Sequence, residues 1–143
     1  MDTKGIYHLC LSKHGLINAF MQSLFGWALL YSMGDKVSAQ MQMQSALLEL
    51  QTLLFFEEKV TVNKIASIYR ELHVDQPPLT AGKYKNTAML LSQIIVDKIA
   101  FIEEFERQNN IDGQIKNHLV ENEKNLLLSL KERLKQIKCE KER

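Results

Sequence analysis

The sequence has few of the residues that break or cross-link a chain. Among its 143 residues there are two prolines, six glycines and two cysteines. Cys10 and Cys139 lie near opposite ends and form no C-x-x-C motif, so the sequence does not point to a disulfide framework. A disulfide between the two ends stays open as an alternative. Such cysteine usage is typical of a reducing compartment, and we expect a cytoplasmic protein.

Signals for β-strands are equally scarce. The only alternation of apolar and polar residues is QMQMQ at residues 40–44, and it lies inside a longer helical pattern. The composition, rich in Leu, Gln, Lys and Glu, favours helices. A chain of this length can bury a single core without disulfides or metals. We therefore expect one all-α domain over residues 1–143.

The chain also lacks an excess of charge of either sign. Its 18 basic and 17 acidic residues give a net charge of +1, so no global field attracts nucleic acid or an anionic membrane. Any partner is expected to bind to a local surface.

Charge is almost absent from one part of the chain. Residues 15–56 contain three charged side chains, Asp35, Lys36 and Glu49, whereas residues 103–143 contain eighteen. A helix that is apolar on most of its faces must be surrounded by its own chain or by another. This asymmetry is the most informative feature of the sequence.

The longest uncharged stretch, residues 15–34, has the length of about 20 residues that a membrane-spanning helix needs. It also contains four polar side chains that lower its hydropathy, Asn18, Gln22, Ser23 and Ser32. A secretory signal would place its cleavage site near Ala39, but the charged pair Asp35 and Lys36 lies between that site and the apolar run. We expect a buried helix that is retained in the protein, with a membrane-associated helix as the alternative.

The spacing of apolar residues predicts about five helices. The first begins after Ser12 and runs toward Met33, with the Gly34-Asp35 pair as a break or as the cap of the next helix. The others are expected over about residues 36–58, 61–74 and 82–109 and from residue 113 onward. Gly113 is expected to stop the fourth helix with a positive φ.

Two prolines, Pro77 and Pro78, make residues 75–83 the one clear loop. It separates an apolar helical half, residues 1–74, from an amphipathic helical hairpin, residues 84–139. The apolar residues of the hairpin recur at intervals of three, four and seven, which is typical of coiled-coil packing. The predicted fold is thus an all-α bundle of about five helices with long antiparallel, coiled-coil-like pairs.

No motif for catalysis, cofactor binding or metal binding is present. The four histidines are scattered and lack metal-ligand spacing; they are His8, His14, His73 and His118. Arg70 and His73 lie one helical turn apart, a pair that could act on a phosphodiester, but their spacing is shorter than that of the Arg and His pair in helical ribonuclease-like toxins. The adjacent acids Glu57-Glu58 and Glu103-Glu104 point about 100° apart on a helix and do not form an acid and base pair. We expect no enzyme, no cofactor and no metal.

A DNA-binding regulator is an alternative. Residues 61–90 imitate a helix-turn-helix, with Lys83, Lys85 and Asn86 at the entry of the second helix. The intervening loop is longer than the usual three or four residues. The second helix carries little basic charge for phosphates. Neither nucleic acid nor a membrane is our expected partner.

The main functional prediction is a protein-binding module of the immunity or inhibitor type, or of the chaperone type, whose partner is another protein or a second copy of the chain. One face of the first helix carries apolar residues at intervals of three and four. Three amphipathic helices are too few to cover two that are apolar nearly all round, so we expect part of this face to be an interface. The candidate interface residues are Phe20, Leu24, Trp27 and Tyr31.

Overall fold

The computed structural model describes residues 14–56, 84–108 and 112–141, which form four α-helices and no strand. The helices are α1 (His14–Ser32), α2 (Lys36–Phe56), α3 (Thr87–Glu106) and α4 (Gly113–Lys141). The prediction of an all-α fold is confirmed for these residues, and QMQMQ lies within α2. The helix predicted at residues 61–74 and the loop at 75–83 fall outside the described residues.

The turn between α1 and α2 follows from two neighbouring residues. Gly34 has a φ of 90°, a conformation that glycine adopts without steric cost and that commonly ends helices. Asp35 then caps α2, because its carboxylate accepts hydrogen bonds from the backbone N–H of Ser38 at 3.0 Å and from the Ser38 hydroxyl at 2.8 Å. The sequence left a break or a cap open for this pair, and the structure shows both, with Gly34 at the break and Asp35 as the cap.

Side-chain caps also fix where α3 and α4 begin. The side chain of Asn86 accepts a hydrogen bond from the backbone N–H of Met89, so α3 begins at Thr87 rather than at the expected residue 82. Asp112 accepts hydrogen bonds from the backbone N–H groups of Gln114 and Ile115 and caps α4. The expectation that Gly113 stops the preceding helix with a positive φ is wrong. Gly113 is the first residue of α4, and Gly34 alone among the described residues has a positive φ.

The four helices pack as two hairpins. Helix α1 packs along α2 and α3 packs along α4, while α2 also contacts α4 and α1 contacts α3. The core between them is built mainly from large aliphatic side chains, with Phe105 as a fully buried aromatic. Its largest fully buried apolar members are Leu16, Leu30, Leu53, Leu90, Leu91, Phe105, Leu119 and Leu130.

Helix α2 turns polar side chains toward this core. Its buried polar residues lie at helical spacing and are Ser38, Gln42, Ser45, Glu49 and Thr52. The other glutamines of α2, at positions 40, 44 and 51, are exposed. Small side chains let the helices approach here: a Cβ added to Gly26 would lie 3.1 Å from Gln42 Oε1 and 3.2 Å from Ile94 Cδ1.

Asp35 provides a test of this fold, because it both caps α2 and forms a hydrogen-bonded ion pair with Arg133 of α4. Burial raises the pKa of Asp35, but hydrogen bonds from Ser38 and the charge of Arg133 outweigh burial and lower it. We expect Asp35→Ala to reduce the free energy of unfolding by about 1–2 kcal/mol. Asp35→Asn, which keeps a capping oxygen, should cost less. Urea denaturation of both variants is the measurement, and equal losses would contradict the capping role.

Candidate functional site

Three charged side chains are buried where the two hairpins meet. Lys98 of α3 is 5 % exposed, and Glu49 of α2 and Glu123 of α4 are 0 % exposed. The Lys98 ammonium lies 2.5 Å from Glu49 Oε1 and 3.2 Å from Glu123 Oε2. One cation thus binds two carboxyl groups from two other helices.

Two serine hydroxyls complete this cluster. Ser23 of α1 donates to the Glu49 carboxyl group, at 3.1 Å to Oε1 and 3.0 Å to Oε2, and accepts from Lys98 Nζ at 3.4 Å. Ser45 of α2 donates to Glu123 Oε2 at 3.4 Å. We call Ser23, Ser45, Glu49, Lys98 and Glu123 the polar centre. It joins all four helices through side-chain hydrogen bonds.

The polar centre contains two acids and one base. Burial raises the pKa of Glu49 well above its usual range, and the nearby Glu123 carboxyl group raises it further, against the attraction of Lys98. Burial alone would lower the pKa of Lys98, but the attraction of Glu49 and Glu123 outweighs burial and raises it. Glu49 therefore keeps its proton at pH values where an exposed glutamate is ionised. Lys98 stays charged, which makes it a poor nucleophile.

The space next to the polar centre is small. A cavity of about 20 Å³ borders Ser23, Gln42 and Lys98. A cavity of this size accommodates one water molecule and no organic substrate. Two buried polar atoms in this region, Gln42 Nε2 and Glu123 Oε1, have no hydrogen-bond partner. The geometry therefore indicates a structural centre, which fixes how the two hairpins pack. It does not favour a substrate-binding site.

The four residues predicted as an interface occupy different environments on α1. Phe20 is buried in the core, and Leu24 is half-buried. Trp27 is 36 % exposed and Tyr31 is 55 % exposed, and their ring centroids lie 6.1 Å apart. Of this set, Trp27 and Tyr31 are the side chains that present substantial surface to solvent.

Helix α2, which packs along α1, carries an uncharged exposed stripe of its own. The stripe follows intervals of three and four residues and consists of Val37, Gln40, Gln44, Leu47 and Gln51, all exposed. We call this stripe, together with Trp27 and Tyr31, the hairpin face. The sequence prediction of an interface named residues of α1 alone, because the exposed apolar side chains of α2 are separated by glutamines.

The hairpin face lacks charge because the hairpin turns both of its acids inward. Asp35 is buried against Arg133, and Glu49 lies in the polar centre. Lys36 is then the only charged side chain exposed between residues 15 and 53. The exposed side of α4, by contrast, carries many charges, among them Glu121, Lys124, Lys131 and Glu132.

A larger cleft lies at one end of the bundle. Its volume is about 420 Å³, and it is lined from the α1–α2 turn, the start of α3 and the end of α4. Lys85 and Arg133 line it together with Asp35 and Glu140, so its charges are mixed. Asn86, considered above as a DNA-contacting residue, caps α3. Lys83 lies outside the described residues.

The other residues considered for chemistry are not brought together. His118 is exposed and lies 3.2 Å from the Asn122 side chain, while Glu103 and Glu104 are exposed on α3. Residues 57, 58, 70 and 73, together with His8 and Cys10, lie outside the described part. Within that part there is no cluster of three or more His, Cys, Asp or Glu residues that could hold a metal ion. Nor does any helix there have the length and apolarity to cross a membrane.

Comparison of the chain with family models, with curated proteins and with solved structures finds no match.

Removing the cation of the polar centre should be strongly destabilising. Lys98→Met leaves Glu49 and Glu123 buried without a cation, and we expect a loss of about 3–5 kcal/mol in the free energy of unfolding. The combined variant Glu49→Leu, Lys98→Met and Glu123→Leu removes all three ionisable groups and should recover most of this loss. Chemical denaturation of both variants is the measurement. A triple variant as unstable as Lys98→Met would contradict the charge argument.

The raised pKa of Glu49 makes stability depend on pH. Between the usual pKa of about 4.5 and the raised value in the folded chain, the folded state binds this proton and the unfolded state does not. The contribution of Glu49 is therefore complete at low pH and is lost as the pH rises through its folded pKa. Glu49→Gln keeps an amide donor in place of the carboxyl proton and should flatten this dependence. Unfolding curves of the wild-type chain and of Glu49→Gln at a series of pH values are the measurement. Identical pH profiles of the two proteins would contradict the contribution of Glu49.

Proposed function

We propose that this chain is a non-enzymatic protein-binding module that contacts its partner through the hairpin face. It acts by occluding or stabilising that partner, as inhibitors of the immunity type and chaperones do. The observation that carries the proposal is an uncharged exposed side on a hairpin that includes Trp27 and Tyr31. Aromatic side chains at a surface are the usual anchors of protein interfaces.

The chemistry of the hairpin face indicates what kind of surface it would bind. Lys36 is the one charged side chain exposed next to it, and a single cation offers little to an acidic peptide or to a row of phosphates. Glutamine side chains supply donors and acceptors, while Val37 and Leu47 supply apolar contact. A matching partner surface is therefore itself uncharged and partly apolar.

We also propose a cytoplasmic location for the chain and coiled-coil-like packing of its second hairpin. Cys139 is an exposed free cysteine, and a free thiol at the surface suits the reducing conditions of the cytoplasm. Buried residues of α3 at 91, 95, 98, 102 and 105 follow alternating intervals of four and three. This spacing supports coiled-coil-like packing between α3 and α4.

The proposal is tested by capture with a matched pair of variants. Tagged wild-type protein, Trp27→Glu and Leu128→Glu are used as baits in extracts of the native host, and bound proteins are identified by mass spectrometry. Leu128 is an exposed apolar residue on the charged helix α4, so its replacement adds the same charge away from the hairpin face. We expect Trp27→Glu to lose a bound protein, or a second copy of the chain, that Leu128→Glu retains.

Both variants must first be shown to remain folded by circular dichroism and by their unfolding transitions. Capture that is the same for all three baits, or that is lost only with Leu128→Glu, would contradict the hairpin face as the binding surface.

A further inference from the structure

We propose that the hairpin face binds a second copy of this chain, in a two-fold dimer whose α2 helices pack antiparallel about Gln44. This inference rests on the proposed function, because it names the partner of the same face. It uses the distribution of charge along α2 and the order of the side chains in its exposed stripe.

Charge is the first argument, because a symmetric interface places each surface patch against its own copy. A patch with many like charges would repel itself, whereas the hairpin face exposes Lys36 alone. In an antiparallel pair centred on Gln44, the two Lys36 residues would lie at opposite ends, roughly 24 Å apart at 1.5 Å per residue. This exceeds the Debye length of about 8 Å at physiological salt, so their repulsion is screened.

The order of side chains along α2 is the second argument. The exposed stripe places Val37 and Gln51 at equal distances from Gln44, and Gln40 and Leu47 at nearly equal ones. Reversal of the helix about Gln44 therefore puts uncharged residues opposite uncharged residues along the whole stripe. Gln44 itself would meet its copy, and an amide can donate to and accept from an identical amide.

The size of the face sets the expected affinity. Helix α2 has 21 residues, which gives a length of about 31 Å. With α1 beside it at about 10 Å, the footprint is roughly 600 Å² per copy. This is below the standard of about 800 Å² per partner, so we expect a dimer that dissociates in the micromolar range.

Light scattering across a dilution series tests the dimer. The wild-type chain should approach about twice its mass of 16.5 kDa at high concentration. Leu47→Glu places one carboxylate without a cation in each half of the interface, opposite glutamine, and removes the apolar contact of Leu47; it should weaken dimerisation by roughly 100-fold or more. Leu128→Glu is the matched control, since Leu128 is 63 % exposed and Leu47 is 53 % exposed; it should leave the dissociation constant unchanged.

Cross-linking tests the antiparallel geometry. In a Cys10→Ser, Cys139→Ser background, Gln44→Cys brings two thiols together at the two-fold axis, and copper–phenanthroline with dissolved oxygen should oxidise them to a disulfide-linked dimer. Gln136→Cys, on the exposed side of α4, is the control and should run as a monomer on a non-reducing denaturing gel.

Three results would overturn the inference: a wild-type chain that stays at 16.5 kDa at all concentrations, a dimer that Leu47→Glu leaves intact, or Gln44→Cys that links no better than Gln136→Cys. If the chain is monomeric while Trp27→Glu loses a different captured protein, the second copy is refuted and the protein-binding function stands. If no variant alters capture or mass, both proposals fail.

Discussion

The ammonium group of Lys98 lies between two carboxyl groups from different helices, and the packing of the hairpins depends on keeping these three groups together. Moving a charge into a protein interior costs several kcal/mol unless partners and hydrogen bonds compensate. Here Ser23 and Ser45 supply part of that compensation from α1 and α2. A shift of one hairpin along the other would separate these groups and leave charges buried without partners, whereas an aliphatic core would tolerate such a shift more easily. The polar centre therefore favours one register of packing.

The sequence predicted the class of fold because apolar periodicity and capping residues are local signals. Gly34 and Asp35 marked the first turn correctly, and the stripes of α3 and α4 were visible as intervals of three, four and seven. Those intervals of seven also concealed the polar centre. Lys98 occupies the skipped position between Ile95 and Ile102, and Glu123 occupies the one between Leu119 and Leu126. Counting only apolar residues passes over a charged residue that points into the core.

The candidate surface was harder to predict for a related reason. The apolar residues along α1 look alike in sequence, yet Leu16 and Phe20 are buried while Trp27 and Tyr31 are exposed. Whether each side chain is buried or exposed depends on how α1 packs against α2 and α3, which local sequence signals do not determine. On α2 the usual arrangement, with apolar residues inside and polar residues outside, is partly reversed. Ser45 and Glu49 point inward and Leu47 points outward, so the helix has no simple apolar side from which its orientation could be inferred.

The polar centre and the uncharged hairpin face follow from the same placement of charge. The segment 15–53 has two acids, and each is held inside by a cation from the other hairpin, Arg133 for Asp35 and Lys98 for Glu49. Those pairings fix α2 in the orientation that turns its glutamines, Val37 and Leu47 to the outside. A side chain of that size gains about 1.5–3 kcal/mol when it is fully buried, which a solvated Leu47 forgoes. The inward charges thus create an outer surface that would gain free energy from a covering partner, and the register set inside the bundle determines which residues that partner meets.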